Sequence, residues 1–320
     1  MQPSAPQPPP PAAAADAALL AEWSASKAAL QAQLEASREE TRRLAEEVER
    51  LQQRSPAAGV SLAGLTMVVT GGASGIGKSI VVVAAQKGCN VIYVDMRDSP
   101  LEGGCTTAEA AAGASGEVVF MRGDVTSEAD LNAAAASAVE RWGRLDVWVN
   151  NAALDLTDPP HSREQSLTKT TLDEWSRVMS VNAAGYLLGS QAAVNQFLRQ
   201  PVRQPVGLRG KLISITSQHG MVACPGNVPY GCSKAVAAQM MRINAVDFAK
   251  DQIASIGVAP GKIVKDPERP VAEYSRVRTP CPRLGTPEDV ALAVALMACD
   301  DARDFMTGFN LMVDGGWMAY

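Results

Sequence analysis

Ser217, Tyr230 and Lys234 have the types and spacing of a proton-transfer site. Tyr230 and Lys234 are four residues apart, so on a helix they share one face. An ammonium beside a phenol favours the phenolate and predicts a lowered tyrosine pKa. A tyrosine so poised acts as general base toward an alcohol or as general acid toward a ketone. Ser217, thirteen residues before Tyr230, supplies a hydroxyl to hold the substrate oxygen in reach. An isolated Tyr-x-x-x-Lys is also what an unremarkable amphipathic helix shows, so the surrounding chain decides its meaning.

A hydride acceptor is the natural partner for such a set, and the chain has a place for one. An apolar run ending at Thr70 leads into Gly71-Gly72-Ala73-Ser74-Gly75-Ile76-Gly77, and a helical stretch from Lys78 to Lys87 follows. Glycines let a backbone turn tightly and approach a pyrophosphate, which then rests on the helix N-terminus. Asp95 closes the second apolar run, 18 residues past Gly77, near the spacing of a ribose-binding acid. Its carboxylate would accept from the ribose hydroxyls and repel a 2′-phosphate, which favours NAD over NADP. The competing readings are a carboxylate capping a surface turn, and Arg97 reaching such a phosphate.

These residues need rigid elements behind them. Seven short apolar runs are predicted as strands: 65–70, 90–95, 117–121, 145–150, 211–216, 254–259 and 310–313. Helical patterns lie between most of them, including 128–142, 182–199, 230–250 and 287–298. Alternation of this kind predicts an α/β fold, one doubly wound parallel sheet of Rossmann type. The glycine loop, Asp95, Asp124, Asn150, Ser217 and Pro260 all fall at the C-terminal ends of predicted strands, where open α/β sheets bind ligands.

The loop from Thr70 to Gly77, Thr-Gly-x-x-x-Gly-x-Gly, resembles that of the short-chain dehydrogenase/reductase family. Asn150-Asn151-Ala152-Ala153 is similar to that family's Asn-Asn-Ala-Gly, and Ser217 with Tyr230 and Lys234 matches its Ser…Tyr-x-x-x-Lys. The resemblance covers roughly residues 60–318 and implies roles for further residues. Asn182, in Ser-Val-Asn-Ala-Ala-Gly, becomes a fourth catalytic residue that holds a water linking Lys234 to solvent. Thr70, Gly71, Ser74, Gly75, Ile76, Gly77, Asp95, Asp124, Val125, Asn151, Pro260 and Gly261 become cofactor contacts. Tyr230 and Lys234 join them, Lys234 through the nicotinamide ribose. Asp314-Gly315-Gly316 closes the last strand. The expected activity is NAD-dependent interconversion of a secondary alcohol and a ketone, most like the sugar-, polyol- and ketone-oxidising members. Reduction of a 3-oxoacyl thioester, commonly with NADPH, and a nucleotide-binding scaffold or redox sensor are the alternatives. Family members usually pair through the helices around 182–199 and 230–250, which implies a homodimer or homotetramer.

The sequence departs from the family after Pro260-Gly261. Lys265 stands where a threonine usually contacts the nicotinamide amide, and Lys262–Pro282 is short for a lid. Residues 154–171 look expanded and are expected to wall the substrate. His219 either lines the pocket or, more simply, bonds a carbonyl in its own loop. Cys224 and Cys232 flank the site; packing is the simpler reading and redox sensing the sharper one.

The remaining sequence bounds the protein. Residues 1–11 hold six of the twenty prolines and are expected to be an extended, disordered tail. Residues 12–54 contain neither glycine nor proline and are predicted as one helix of up to roughly 65 Å. Heptad a positions fall on Leu20, Lys27, Leu34, Thr41 and Val48, and d positions on Trp23, Leu30, Ser37, Leu44 and Leu51. That seam suits a coiled coil, with itself or with another protein, and a solitary helix is the alternative. Glu39 with Arg43 and Glu46 with Arg50 are favourably ordered pairs. Residues 55–59 read as a linker and 60–320 as the catalytic domain. A net charge of −5 argues against a nucleic-acid partner. No apolar run approaches a membrane span. Two histidines and six scattered cysteines predict no metal site and no disulfide framework. With no secretory or arginine-rich leader, the expected location is cytoplasmic.

Overall fold

The computed structural model describes residues 23, 26, 27, 29–43, 60–100, 103–156, 167–204, 206–264, 273–300 and 305–319. The chain divides into two units, Met1–Ala58 and Gly59–Tyr320. In the first, residues 29–43 form helix α1, and Trp23, Leu30 and Leu34 are exposed. Lys27 lies 5.2 Å from the centre of the Trp23 ring. Glu39 pairs with Arg42, one turn along, at 2.7 Å. The tail at 1–11, the linker at 55–59, the Glu46–Arg50 pair and the heptad positions Leu20, Leu44, Val48 and Leu51 lie outside the described residues.

The second unit holds a seven-stranded sheet. Its strands are β1 (Thr66–Thr70), β2 (Asn90–Asp95), β3 (Val118–Arg122), β4 (Val147–Asn150), β5 (Gly210–Ile215), β6 (Ile253–Pro260) and β7 (Asn310–Val313). All neighbours pair in parallel, in the order β3-β2-β1-β4-β5-β6-β7. The helices are α2 (Gly75–Gln86), α3 (Thr107–Ala110), α4 (Glu128–Trp142), α5 (Leu172–Met179), α6 (Gly185–Arg199), α7 (Val228–Phe248), α8 (Glu273–Arg278) and α9 (Pro287–Ala298). A parallel sheet must be covered on both faces. Met67, Val69 and Val91 face α2 and α9 in one core, while Val68, Trp148 and Leu212 face α4 and α6 in the other. The strand order reverses between β1 and β4, and the crevice there is where such sheets take ligands.

Predicted strands and helices hold within one to three residues. The helix after the glycine loop begins at Gly75, not Lys78. β4 starts two residues later than expected, at Val147; just before it, the buried Asp146 carboxylate accepts from the Thr66 N–H and pairs with Arg144 at 2.5 Å. The helix expected from Asn182 is preceded by a π-helical turn, Ser180–Ala184, that continues α5 into α6. Lys211 on β5 is buried and donates to the carbonyls of Met297 and Ala298, which satisfies the C-terminal end of α9.

The start of α9 is a capping box. Thr286 accepts from the Asp289 N–H, Asp289 accepts from the Thr286 N–H, and Arg283 grips the Asp289 carboxylate at 2.6 and 2.8 Å. Arg283 lowers the Asp289 pKa from its ordinary 3.8 to about 2. The folded pKa lies below the unfolded one, so the stabilisation is present above pH 3.8 and lost as pH falls through about 2. Asp289→Asn is expected to reduce stability by about 0.5–1 kcal/mol at pH 7 in urea denaturation, with the difference shrinking toward pH 2.

Candidate active site

The ends of β1 and β4 are laced together. The Thr70 hydroxyl accepts from the N–H groups of Asn151 (3.0 Å) and Ala152 (3.2 Å). The Asn151 side chain donates to the carbonyls of Thr70 (2.9 Å) and Gly71 (3.0 Å). Gly71 has φ +68°, and a Cβ on it would lie 2.8 Å from the Ala152 Cα. A Cβ on Gly77 would lie 2.0 Å from the Gly71 carbonyl oxygen. Ser74 stands at the N-cap of α2 without a side-chain capping bond, and the first turn has no acid. By contrast α4, α5 and α9 each carry a capping hydroxyl and acids in their first turn. A bare, unopposed N-terminus of this kind suits a pyrophosphate. Ile76 packs on the α2–α9 core, which fixes the loop from below.

Asp95 ends β2, where its carboxylate accepts from the Ala73 N–H at 3.1 Å. It is thus held against the glycine loop, with oxygen lone pairs left for hydroxyl donors. Asp124 follows β3 and accepts from the Thr126 N–H at 2.8 Å. Val125 next to it packs so closely on α6 that a Cβ on Gly185 would lie 3.0 Å from it. Pro260 closes β6, and a Cβ on Gly261 would lie 2.7 Å from the Asp314 Cα. The residues expected to contact the cofactor therefore lie at or just beyond the C-terminal ends of β1, β2, β3, β4 and β6.

The reacting groups lie beyond the ends of β4 and β5. Ser217 hydrogen-bonds Tyr230, and its hydroxyl also accepts from the His219 N–H at 3.1 Å. Lys234 is buried one turn along α7, 5.7 Å from the centre of the Tyr230 ring. Asn182 lies in the π turn, and π-helical turns are frequent at functional sites. Its side chain accepts from the Leu154 N–H (2.7 Å) and donates to the Leu154 carbonyl (2.9 Å) and Ser233 (3.0 Å). Its amide thereby ties the loop after β4 to α7.

The expected fall in the Tyr230 pKa does not occur here. Burial pushes the phenol well above its ordinary range, the negative charge of Asp155 pushes it further, and the Ser217 bond draws it back in part. Lys234 donates to Tyr186 (3.0 Å) and to the Ile215 carbonyl (2.8 Å). The short spacing on the helix showed the right neighbour; it could not show how much water the fold removes.

A cavity of about 240 Å³ opens beside Tyr230. Its wall carries Asp155, Lys169, Glu174, Thr170 and the buried Asn227. The stretch after β4 supplies three of these, Asp155, Lys169 and Thr170. Asp155 and Tyr186 were not foreseen as members of the site. For Tyr186 the signal was present: it stands four residues after Asn182.

The sequence matches, over residues 71–318, the family model described as Enoyl-(Acyl carrier protein) reductase. The chain belongs to the short-chain dehydrogenase/reductase family. It is 31% identical over 265 residues to glucose 1-dehydrogenase 2 of Bacillus subtilis, covering 81% of this chain and 96% of that one. It is 30% identical over 267 residues to 3beta-hydroxysteroid dehydrogenase 1 of Eggerthella lenta, covering 81% and 95%. Its fold is similar to that of a short-chain type dehydrogenase/reductase from Mycobacterium marinum, with a TM-score of 0.70, 25% identity and coverage of 81% and 98%. A 3-oxoacyl-[acyl-carrier protein] reductase from Brucella melitensis gives a TM-score of 0.68, 25% identity and coverage of 80% and 98%. The family comprises oxidoreductases that use NAD(P) on alcohols and ketones.

Some departures from the family pattern can be placed. Lys265 lies outside the described residues, but the rest of the short lid contains helix α8. Arg278 at its end stacks on Tyr274 (5.1 Å) and Trp317 (5.3 Å). Trp317 meets His219 edge-on at 6.2 Å, so its ring stands between Arg278 and the loop after Ser217. His219 is also 3.3 Å from the Gln218 side chain. Burial and Asp155 push the Cys224 thiol up to about 11, which keeps it protonated and disfavours redox sensing. No disulfide joins the six cysteines, and no cluster of metal-ligating residues occurs among the described residues.

Gly77→Ala is expected to weaken NADH binding by more than about tenfold, read from the quenching of protein fluorescence, because the new methyl pushes on the Gly71 carbonyl. Asp155→Asn is expected to lower the Tyr230 pKa. The phenolate is the base for alcohol oxidation, so the rise of kcat/KM with pH moves to lower pH in that variant.

Proposed function

We propose that this protein is an NAD-dependent dehydrogenase for a small, polar secondary alcohol of the sugar or polyol kind. The observation that carries the reading is the Ser217–Tyr230–Lys234 cluster opening on a small, charged cavity. At about 240 Å³ that cavity is below the usual range for drug-sized ligands, and its carboxylates and amide suit hydroxyl groups. The similarity to glucose 1-dehydrogenase 2 supports the same substrate class.

Ser217 orients the substrate oxygen, and Tyr230 removes the alcohol proton or delivers one to a ketone. Lys234 holds positive charge beneath Tyr230 and reaches for the nicotinamide ribose. Asn182 fixes the loop that carries Asp155. When bound, the nicotinamide takes or gives the hydride, and its positive charge in the oxidised form favours the Tyr230 phenolate. Asp95 supports NAD as the cofactor: a second negative charge on the ribose would meet a carboxylate already held in place by Ala73.

A second reading, reduction of a 3-oxoacyl thioester with NADPH, is favoured by the description of the matching family model and by the Brucella melitensis neighbour. Cofactor preference separates the two. For assembly we propose a homodimer or homotetramer through α6 and α7, whose outer faces expose Leu187, Leu198, Ile243 and Val246. The exposed Trp23, Leu30 and Leu34 suit a coiled-coil role for α1. No described helix is long and apolar enough to cross a membrane. Six cysteines joined by no disulfide suit a reducing compartment such as the cytoplasm.

The test is a turnover screen with NAD⁺ and NADP⁺ against sugars, polyols and simple secondary alcohols. Tyr230→Phe is expected to bind NADH normally and lose at least about a thousandfold in kcat. Asp95→Ser is expected to narrow the preference for NAD⁺ by about tenfold or more. Full activity in Tyr230→Phe would refute the mechanism, and a wild-type preference for NADP⁺ would favour the thioester reading.

A further inference from the structure

Lys234 has a neighbour that the sequence motif does not include. Tyr186 stands at the second position of α6 and is 2% exposed. Its hydroxyl donates to the Ile215 carbonyl at 2.8 Å. That bond uses its only proton, so toward any other group the oxygen is an acceptor. Lys234, 1% exposed, gives one N–H to this oxygen at 3.0 Å and another to the same Ile215 carbonyl at 2.8 Å. The three groups close a triangle at the end of β5, two residues before Ser217. The ammonium lies 4.9 Å from the centre of the Tyr186 ring and 5.7 Å from that of Tyr230.

The backbone explains how Tyr186 arrives there. The π turn Ser180–Ala184 ends directly before α6. Asn182 within it bonds Ser233, and Tyr186 just beyond it bonds Lys234, the next residue of α7. The two contacts dock α6 on consecutive residues of the catalytic helix. A phenylalanine would fill the same volume without burying a hydroxyl, which is unfavourable unless the hydroxyl is bonded. Here both of its bonds are made, and one of them goes to a buried ammonium.

We propose that Tyr186 is a positioning residue for Lys234, its hydroxyl holding the ammonium at a set distance from Tyr230. This rests on the reading of Ser217, Tyr230 and Lys234 as the catalytic set. Burial and the nearby Tyr230 hold the Tyr186 phenol well above its ordinary range, so Tyr186 stays neutral while Tyr230 exchanges protons. Among the described residues, the titratable groups near the cluster include Asp155 after β4, Lys169 before α5, Glu174 on α5 and His219 in the loop after β5, whose N–H donates to Ser217.

The experiment compares the wild-type chain with Tyr186→Phe, Lys234→Met, the double variant and Tyr230→Phe. Two quantities are read: NADH affinity by fluorescence titration, and the pH profile of NAD⁺-linked oxidation of whichever alcohol turns over fastest in the screen. Tyr186→Phe is expected to lower kcat about tenfold with little change in the KM for the alcohol. The acid limb of its profile is expected to move to higher pH as the ammonium leaves Tyr230. Its NADH affinity is expected to fall several-fold, and that effect should vanish in the Lys234→Met background, because it acts through Lys234. A variant with a lower melting temperature but an unmoved acid limb and wild-type NADH affinity would overturn the proposal. So would a Tyr186→Phe effect on affinity of equal size with and without Lys234. Where no alcohol turns over, the affinity cycle alone decides on the same criteria. Turnover retained in Tyr230→Phe would instead strike the catalytic reading, whatever Tyr186→Phe does.

Discussion

The side chains of Thr70 and Asn151 cross between the ends of β1 and β4, and their hydrogen bonds fix two strands whose connections leave the sheet in opposite directions. At this point the sheet cannot be covered by a helix, so backbone groups must be satisfied by side chains or by a ligand. Asn151 takes the carbonyls of Thr70 and Gly71, and Asp95 takes the Ala73 N–H. The loop is thereby held in one shape before anything binds. The glycines follow from the same constraint. A side chain at Gly77 would strike the Gly71 carbonyl that Asn151 holds.

Polar burial governs the other half of the site. Lys234, Tyr186 and Asn182 are almost wholly removed from water, a placement unfavourable for each alone. Together they are tolerable because each finds a partner in β5, α6, α7 or the loop after β4. The same burial raises the Tyr230 phenol, so in this arrangement proton affinity is set by exclusion of water first and by neighbouring charge second. Asp155 and Ser217 then tune it in opposite directions.

Much of this architecture was legible in the residues. The seven apolar runs are the seven strands because a parallel sheet buried on both faces needs uninterrupted apolar stretches. The positions of Gly71, Asp95, Ser217 and Pro260 at strand ends followed from those runs. Other features depend on contacts between distant segments. The π turn at Ser180–Ala184 has no sequence period of its own, and the helices α5 and α8 are too short to show one. Tyr186 stands four residues after Asn182, but its bond to Lys234 shows only once α7 is packed beside α6. The sign of the Tyr230 shift likewise required knowing what surrounds the phenol.

The bonds from Asn182 to both polar groups of Leu154 have a consequence for how this scaffold can change over time. They clamp the chain at the boundary between the reacting groups and the wall of the cavity. Downstream of that clamp α5 begins with its own capping box at Thr171 and Glu174. Both ends of the intervening stretch are thus anchored independently of its length. Insertions and deletions beyond Asp155 would alter what the cavity admits while leaving Ser217, Asp155 and Lys234, the groups around the Tyr230 phenol, in place. Substrate choice and proton chemistry become separately heritable traits of one sheet.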